Sequence, residues 1–151
     1  MELKSLNSTK KIAEIIAINL RKNDFILLSG NLGSGKTTFT RFLINFLQKK
    51  NNCPLEEIVS PTFNIVQYYD LEKDLRIAHY DFYRLKKEKE ISNIGLLDTA
   101  KEFINIIEWP EFIVNSLDEF LQINFSYNVD KDLRSLTFNG KGKWSGFSIN
   151  D

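Results

Sequence analysis

A single cysteine, a single histidine, a single methionine and only three prolines stand in this chain of 151 residues. The lone thiol, Cys53, cannot close an internal disulfide, which agrees with a reducing compartment. Twenty basic residues balance twenty acidic ones, so net charge gives no sign of a protein that tracks a nucleic-acid backbone. No apolar run approaches the roughly 20 residues that cross a bilayer. Met1-Glu2-Leu3-Lys4-Ser5 opens no apolar signal region. A cytoplasmic location without membrane association is expected. No internal repeat or low-complexity linker divides the chain. With 42% hydrophobic residues in 151, one core is affordable and two are not, so residues 1–151 are expected to form one domain.

What is present is a succession of strand and helix patterns. Ile12, Ala13, Ile15, Ile16 and Leu20 recur at helical spacing between Thr9 and Leu20, after the capping candidates Asn7 and Ser8. Phe25 to Leu28 is a strand-length apolar run closed by Ser29-Gly30. Beyond a glycine loop, Phe39, Phe42, Leu43, Phe46 and Leu47 form one stripe of a helix from Thr38 to Lys49. Two strands are expected over Phe63 to Tyr69 and Leu75 to Tyr80, joined by the polar turn Asp70 to Asp74. Phe103 to Ile107 reads as another strand, stopped by Pro110. Phe120 to Tyr127 and Leu133 to Phe138 read as a closing hairpin. The charged run Lys86 to Glu90 reads as a solvated turn or helix face.

The loop between the first strand and the second helix carries the chemistry. Gly30-Asn31-Leu32-Gly33-Ser34-Gly35-Lys36-Thr37 matches Gly-x4-Gly-Lys-Ser/Thr, the phosphate-binding loop. A triphosphate must be held by converging donors, and a glycine-rich loop supplies them from its own backbone. The following helix adds its N-terminal amides and the positive end of its dipole. Asn31, Leu32, Gly33, Ser34 and Gly35 are therefore the expected cradle. Lys36 would reach the β and γ phosphates, Thr37 the magnesium, and Thr38 the α phosphate. By composition alone such a pattern turns up in about one chain of this size in a hundred; its place between strand and helix makes it more specific.

Magnesium at such a loop takes a further carboxylate from a neighbouring strand end. Two strands end on one: Asp81 after Leu75 to Tyr80, and Glu108 after Phe103 to Ile107. The more apolar run before Glu108 assigns it to the metal and leaves Asp81 to orient or deprotonate the attacking water. Ser60-Pro61-Thr62 is a stiff, hydroxyl-bearing turn, and Ser60 and Thr62 are candidate switch residues sensing the γ phosphate. His79 is assigned no chemistry, and Trp109 either covers the site or fills core, with packing favoured.

In this order, Gly30 to Thr38, Ser60-Pro61-Thr62-Phe63, His79-Tyr80-Asp81-Phe82-Tyr83-Arg84 and Glu108-Trp109 resemble the bacterial TsaE (YjeE) ATPases over nearly the whole chain. The resemblance implies an α/β fold, a single P-loop NTPase domain whose mixed sheet has antiparallel strand pairs and flanking helices. It implies ATP and Mg2+ as ligands, nucleotide binding by Lys36, Thr37 and Thr38, hydrolysis supported by Asp81, and magnesium held by Glu108. It also implies action on the TsaB–TsaD complex, resetting it between cycles of threonylcarbamoyladenosine modification, with tRNA met only through that complex. Leu96-Leu97-Asp98, where many relatives are more acidic, and the stretch Lys49 to Glu57 depart from the pattern. A small-molecule kinase is the rival reading, although no arginine-rich lid segment is evident. A nucleotide-gated binding module with incidental hydrolysis is a third. No Asn-Lys-x-Asp segment is present to read guanine.

Overall fold

Ser5 starts the first helix. Its extended backbone and its hydroxyl, which accepts the Ser8 amide at 3.2 Å, make it the cap. Helix α1 therefore runs Leu6–Ile18, earlier than the apolar spacing indicates, and Asn7 and Ser8 lie inside it rather than capping it. The structure, a computed structural model, describes residues 1–71 and 74–149. Among these, the strands are β1 (Glu2–Leu3), β2 (Phe25–Ser29), β3 (Val66–Asp70), β4 (Arg76–Asp81), β5 (Phe103–Glu108), β6 (Phe120–Asn128) and β7 (Leu133–Lys141). The remaining α-helices are α2 (Lys36–Lys50) and the short α3 (Lys89–Ile94) and α4 (Leu96–Thr99). No helix among the described residues is long and apolar enough to cross a membrane.

The strands form one mixed sheet in the order β1-β7-β6-β2-β5-β4-β3. Strands β6, β2, β5 and β4 run parallel, and antiparallel partners close both sides. Central strands of a parallel sheet are covered on both faces, which is why β2 and β5 read as unbroken apolar runs. Helices α1 and α2 cover one face through Ile12, Ile16, Phe39, Leu43 and Leu47 against Ile26, Leu28, Ile77, Ile104 and Ile106. On the other face, Leu27, Ala78, Tyr80 and Ile107 pack with Ile91, Leu96, Ile113 and Leu117. The alternation of Ile77, His79 and Asp81 with Ala78 and Tyr80 sorts β4 between these two faces.

Both hairpins expected from the sequence are present. Within the turn from Asp70 to Asp74, Glu72 and Lys73 lie outside the described residues. One strand is shorter than its pattern: β3 begins at Val66, and Phe63 is 83% exposed in the turn before it. The Ile65 amide donates to the Pro61 carbonyl at 2.6 Å, which folds residues 61–65 back on themselves. Apolar character there is not a sign of pairing. The run Lys86 to Glu90 is mostly exposed and leads into α3, with the Glu90 carboxylate accepting the Lys86 and Lys87 amides at 2.8 Å each. These bonds hold the Glu90 carboxyl below its ordinary pKa.

Candidate functional site

The C-terminal ends of β2, β4 and β5 lie side by side, with Leu28 opposite Glu108 and Asp81 opposite Glu108 in the parallel register. Everything that follows these strand ends meets at one edge of the sheet, where parallel α/β proteins place ligands. After Ser29 the chain turns through Gly30 (φ 136°), Gly33 (φ 75°) and Gly35 (φ 112°). A Cβ on Gly30 would collide with the Phe125 carbonyl oxygen of β6, so the loop can pass this close to the sheet only as glycine. Gly35 starts α2, and no side chain caps that helix. Its first-turn amides therefore face the cleft free of a protein cap.

The loop and its neighbours line a cavity of about 310 Å3 that includes Leu32, Gly33, Gly35, Lys36, Thr37, Thr38, Ser60, Thr62, Asp81, Tyr83, Glu108 and Trp109. Asn31 and Ser34 belong to the loop without lining this cavity. The Asn31 carbonyl accepts the Lys36 ammonium at 3.0 Å, as does the Gly30 carbonyl at 2.6 Å. The Ser34 hydroxyl is buried and has no hydrogen-bond partner among the described residues.

Across the cleft, the Thr37 hydroxyl donates to Glu108 Oε2 at 3.0 Å. Glu108 Oε1 accepts from His79 Nε2, also at 3.0 Å, and both side chains are buried. Asp81 is engaged differently. Its Oδ2 accepts the Ser60 hydroxyl and, at 2.8 Å, the Thr62 hydroxyl, while its Oδ1 accepts the Tyr83 amide at 2.9 Å. The strand-end aspartate thus ties the 60–62 turn to the sheet.

Backbone strain sits on both sides of this arrangement. Ile65, which ends the turn, and Trp109, which follows Glu108, have φ of 68° and 60°. Such values are rare for bulky side chains and persist where the surroundings impose them. The Ile65 carbonyl accepts the Asp81 amide at 2.9 Å, and the Trp109 amide donates to the Leu28 carbonyl at 3.1 Å. The turn of the chain at Trp109 aims its ring at the loop, 4.1 Å from the Lys36 ammonium and 5.0 Å from the Tyr83 ring. Burial pushes the Lys36 pKa down, against the opposing pull of Glu108, Asp81 and Glu111.

The sequence profile described as "Threonylcarbamoyl adenosine biosynthesis protein TsaE" matches residues 3–136. The chain belongs to the TsaE family. A relative from Rickettsia conorii, the "tRNA threonylcarbamoyladenosine biosynthesis protein TsaE", is 38% identical over 141 residues, covering 92% of this chain and 78% of its own. The protein of the same description from Haemophilus influenzae is 33% identical over 153 residues, covering 97% and 93%. The crystal structure of YdiB from Bacillus subtilis superposes with a TM-score of 0.69 at 28% identity, over 95% of this chain and 85% of that one. The TsaE family places the chain in tRNA threonylcarbamoyladenosine biosynthesis as a P-loop NTPase-type protein.

In this TsaE family member, the loop, Asp81, Glu108 and the 60–62 turn, distant in sequence, converge on one cleft. Read alone, the sequence leaves His79 without chemistry and favours core packing for Trp109. The structure places His79 on Glu108 and Trp109 in the cleft wall. A signal for His79 did exist: two residues before Asp81 on a strand, it shares a face with that aspartate. What was missing was the strand order that puts Glu108 beside it. Tyr83, two residues after Asp81, stands in the block His79 to Arg84 that carries the family resemblance but had no role assigned to it; it lies 48% exposed at the mouth.

Proposed function

We propose that this chain binds ATP with Mg2+ in the cleft, hydrolyses it, and thereby resets a TsaB–TsaD complex between rounds of tRNA threonylcarbamoyladenosine modification in the cytoplasm. The contact between Thr37 and Glu108 carries the nucleotide part of the reading. It puts a hydroxyl and a carboxylate, both hard oxygen donors, together at the start of the helix that follows the phosphate loop. Among the described residues no group of three or more His, Cys, Asp or Glu side chains could hold a metal. A metal here would draw its remaining ligands from phosphate and water, which suits Mg2+. Thr37 and Glu108 would hold it, and it would supply positive charge against the β and γ oxygens.

The amides of residues 31 to 35 would receive the phosphates, and Lys36 would exchange two loop carbonyls for phosphate oxygens. Thr38 would donate to the α phosphate. Asp81 would orient the attacking water once an arriving γ phosphate draws Ser60 or Thr62 away from it, because both hydroxyls now occupy the oxygen such a water would need. Release of phosphate would return both hydroxyls to Asp81. The segment 60–65, with exposed Phe63, would then report the nucleotide state at the surface.

Calorimetric titration with ATP, with and without Mg2+, tests the binding step, and Lys36→Ala should abolish tight binding while the fold survives. Unchanged affinity in that variant would overturn the site. The output is tested with limiting TsaB–TsaD, tRNA and the threonylcarbamoyl donor. Wild-type protein should permit many modifications per complex and Lys36→Ala about one. No difference between them would refute the resetting role and leave the nucleotide site standing.

A further inference from the structure

Glu108 is held at both ends of its carboxylate, by Thr37 at Oε2 and by His79 at Oε1. We infer that His79 is a positioning residue for the metal, setting the rotation of the Glu108 carboxylate so that Oε2 faces Thr37; the inference rests on the reading of Glu108 and Thr37 as the Mg2+ ligands. The terminal torsion of a glutamate is broad and two-fold, so a carboxylate on a strand end does not choose its orientation unaided. A partner that fixes one oxygen decides where the other points.

Three observations favour this role over packing. His79 is 0% and Glu108 2% exposed, so no water competes for the bond. The parallel register puts His79 beside Ile106 and Glu108 beside Asp81, which makes His79 and Glu108 diagonal neighbours on the face that carries α2. The other ring nitrogen, Nδ1, is buried without a hydrogen-bond partner among the described residues. A leucine or phenylalanine would fill the same space without an orphaned nitrogen. The contact with Glu108 is therefore the polar function of the ring. A carboxylate oxygen accepts, so the hydrogen of this contact sits on Nε2. Partners of this kind, one step removed from a metal, change affinity about 10- to 100-fold when lost.

The chain has one histidine, so labelling histidine with 15N yields a single ring to observe by NMR. The expected spectrum of the wild-type protein has Nε2 protonated. Addition of ATP with Mg2+ should move the Nε2 resonance, and ATP with EDTA should leave it in place. A protonated Nδ1 with a bare Nε2, or no response to Mg2+, would overturn the inference without any mutation. In parallel, binding of a fluorescent ATP analogue is measured against Mg2+ concentration. His79→Phe should raise the Mg2+ needed for half-maximal effect about tenfold, and His79→Gln, which keeps an N–H donor, should stay within about threefold of wild type. Affinity in EDTA should be equal in all three proteins. Equal Mg2+ requirement in His79→Phe, or a parallel loss in EDTA, would refute the positioning role. A wild-type protein whose nucleotide affinity ignores Mg2+ would instead overturn the ligand assignment itself.

Discussion

The Lys36 ammonium lies 4.1 Å from the centre of the Trp109 ring while it donates to the carbonyls of Gly30 and Asn31. The cation that would meet phosphate is thus held by its own loop and covered by an aromatic face. Occupation of the site must break this contact. Trp109 is half-buried at the cleft, and the other tryptophan, Trp144, is buried near the end of β7. ATP should therefore change tryptophan emission through Trp109 alone. Trp109→Phe should abolish the response and keep affinity within about thirtyfold, since a cation–π contact is worth ~0.5–2 kcal/mol. A response that survives Trp109→Phe would place the rearrangement elsewhere.

Burial lowers the Lys36 pKa in the folded chain below its ordinary 10.5, with desolvation outweighing Glu108, Asp81 and Glu111. As pH rises, the folded state releases this proton first, and the unfolded state then binds more protons. Stability contributed by this group therefore increases from the folded pKa up to about 10.5 and is at its lowest below that window. Lys36→Met should melt higher than wild type at pH 7 without nucleotide, and the gap should narrow as pH approaches 10. Melting curves across pH, taken as the difference between the two proteins, test this; a constant gap would reject it.

Asp81 and Glu108 are neighbours in register but engage different partners. Asp81→Asn is expected to retain Mg2+-dependent ATP binding and lose at least about a hundredfold in phosphate release, the low end of what a positioned acid–base group provides. Glu108→Gln is expected to weaken binding only when Mg2+ is present. Calorimetry and a phosphate-release assay on both variants separate the roles, and the opposite pattern would exchange them.

Removing the Thr62 hydroxyl deletes one bond to a carboxylate, a loss of about 1.5–3 kcal/mol where such a bond is shielded and less at this half-open site. The loss is local, because the turn 60–65 carries little core. Thr62→Ala should accelerate chymotrypsin cleavage after the exposed Phe63 several-fold and lower the melting temperature by no more than a few degrees. Unchanged cleavage would show that the Asp81 tether does not restrain the turn.

Gly30→Ala combines a collision with the Phe125 carbonyl and a φ of 136° that alanine resists. A cost of about 1–3 kcal/mol is expected from the backbone alone. Denaturant unfolding should register it, together with a loss of ATP affinity of at least tenfold as the loop moves off β6. Wild-type stability and affinity in this variant would mean that the loop can shift without consequence.

Local pattern made the strand, loop and helix around Lys36 legible, because the motif, the apolar run of β2 and the stripe of α2 are all short-range properties of consecutive residues. The two carboxylates were legible as strand ends for the same reason. Period and composition misplaced what depends on one short-range hydrogen bond that apolar spacing does not register: the start of α1 at Ser5, and the turn at Phe63 that the Pro61 carbonyl closes. Strand order is not a local property. That β4 and β5 lie parallel and adjacent, with Asp81 and His79 on the face of Glu108, follows from packing of the whole sheet between its helices. The sequence by itself thus determined the glycine loop between β2 and α2 and the two carboxylates at strand ends. Only the tertiary structure decided that His79 holds Glu108, that Asp81 holds Ser60 and Thr62, and that Trp109 covers Lys36, since each is a contact between segments that no local interaction brings together.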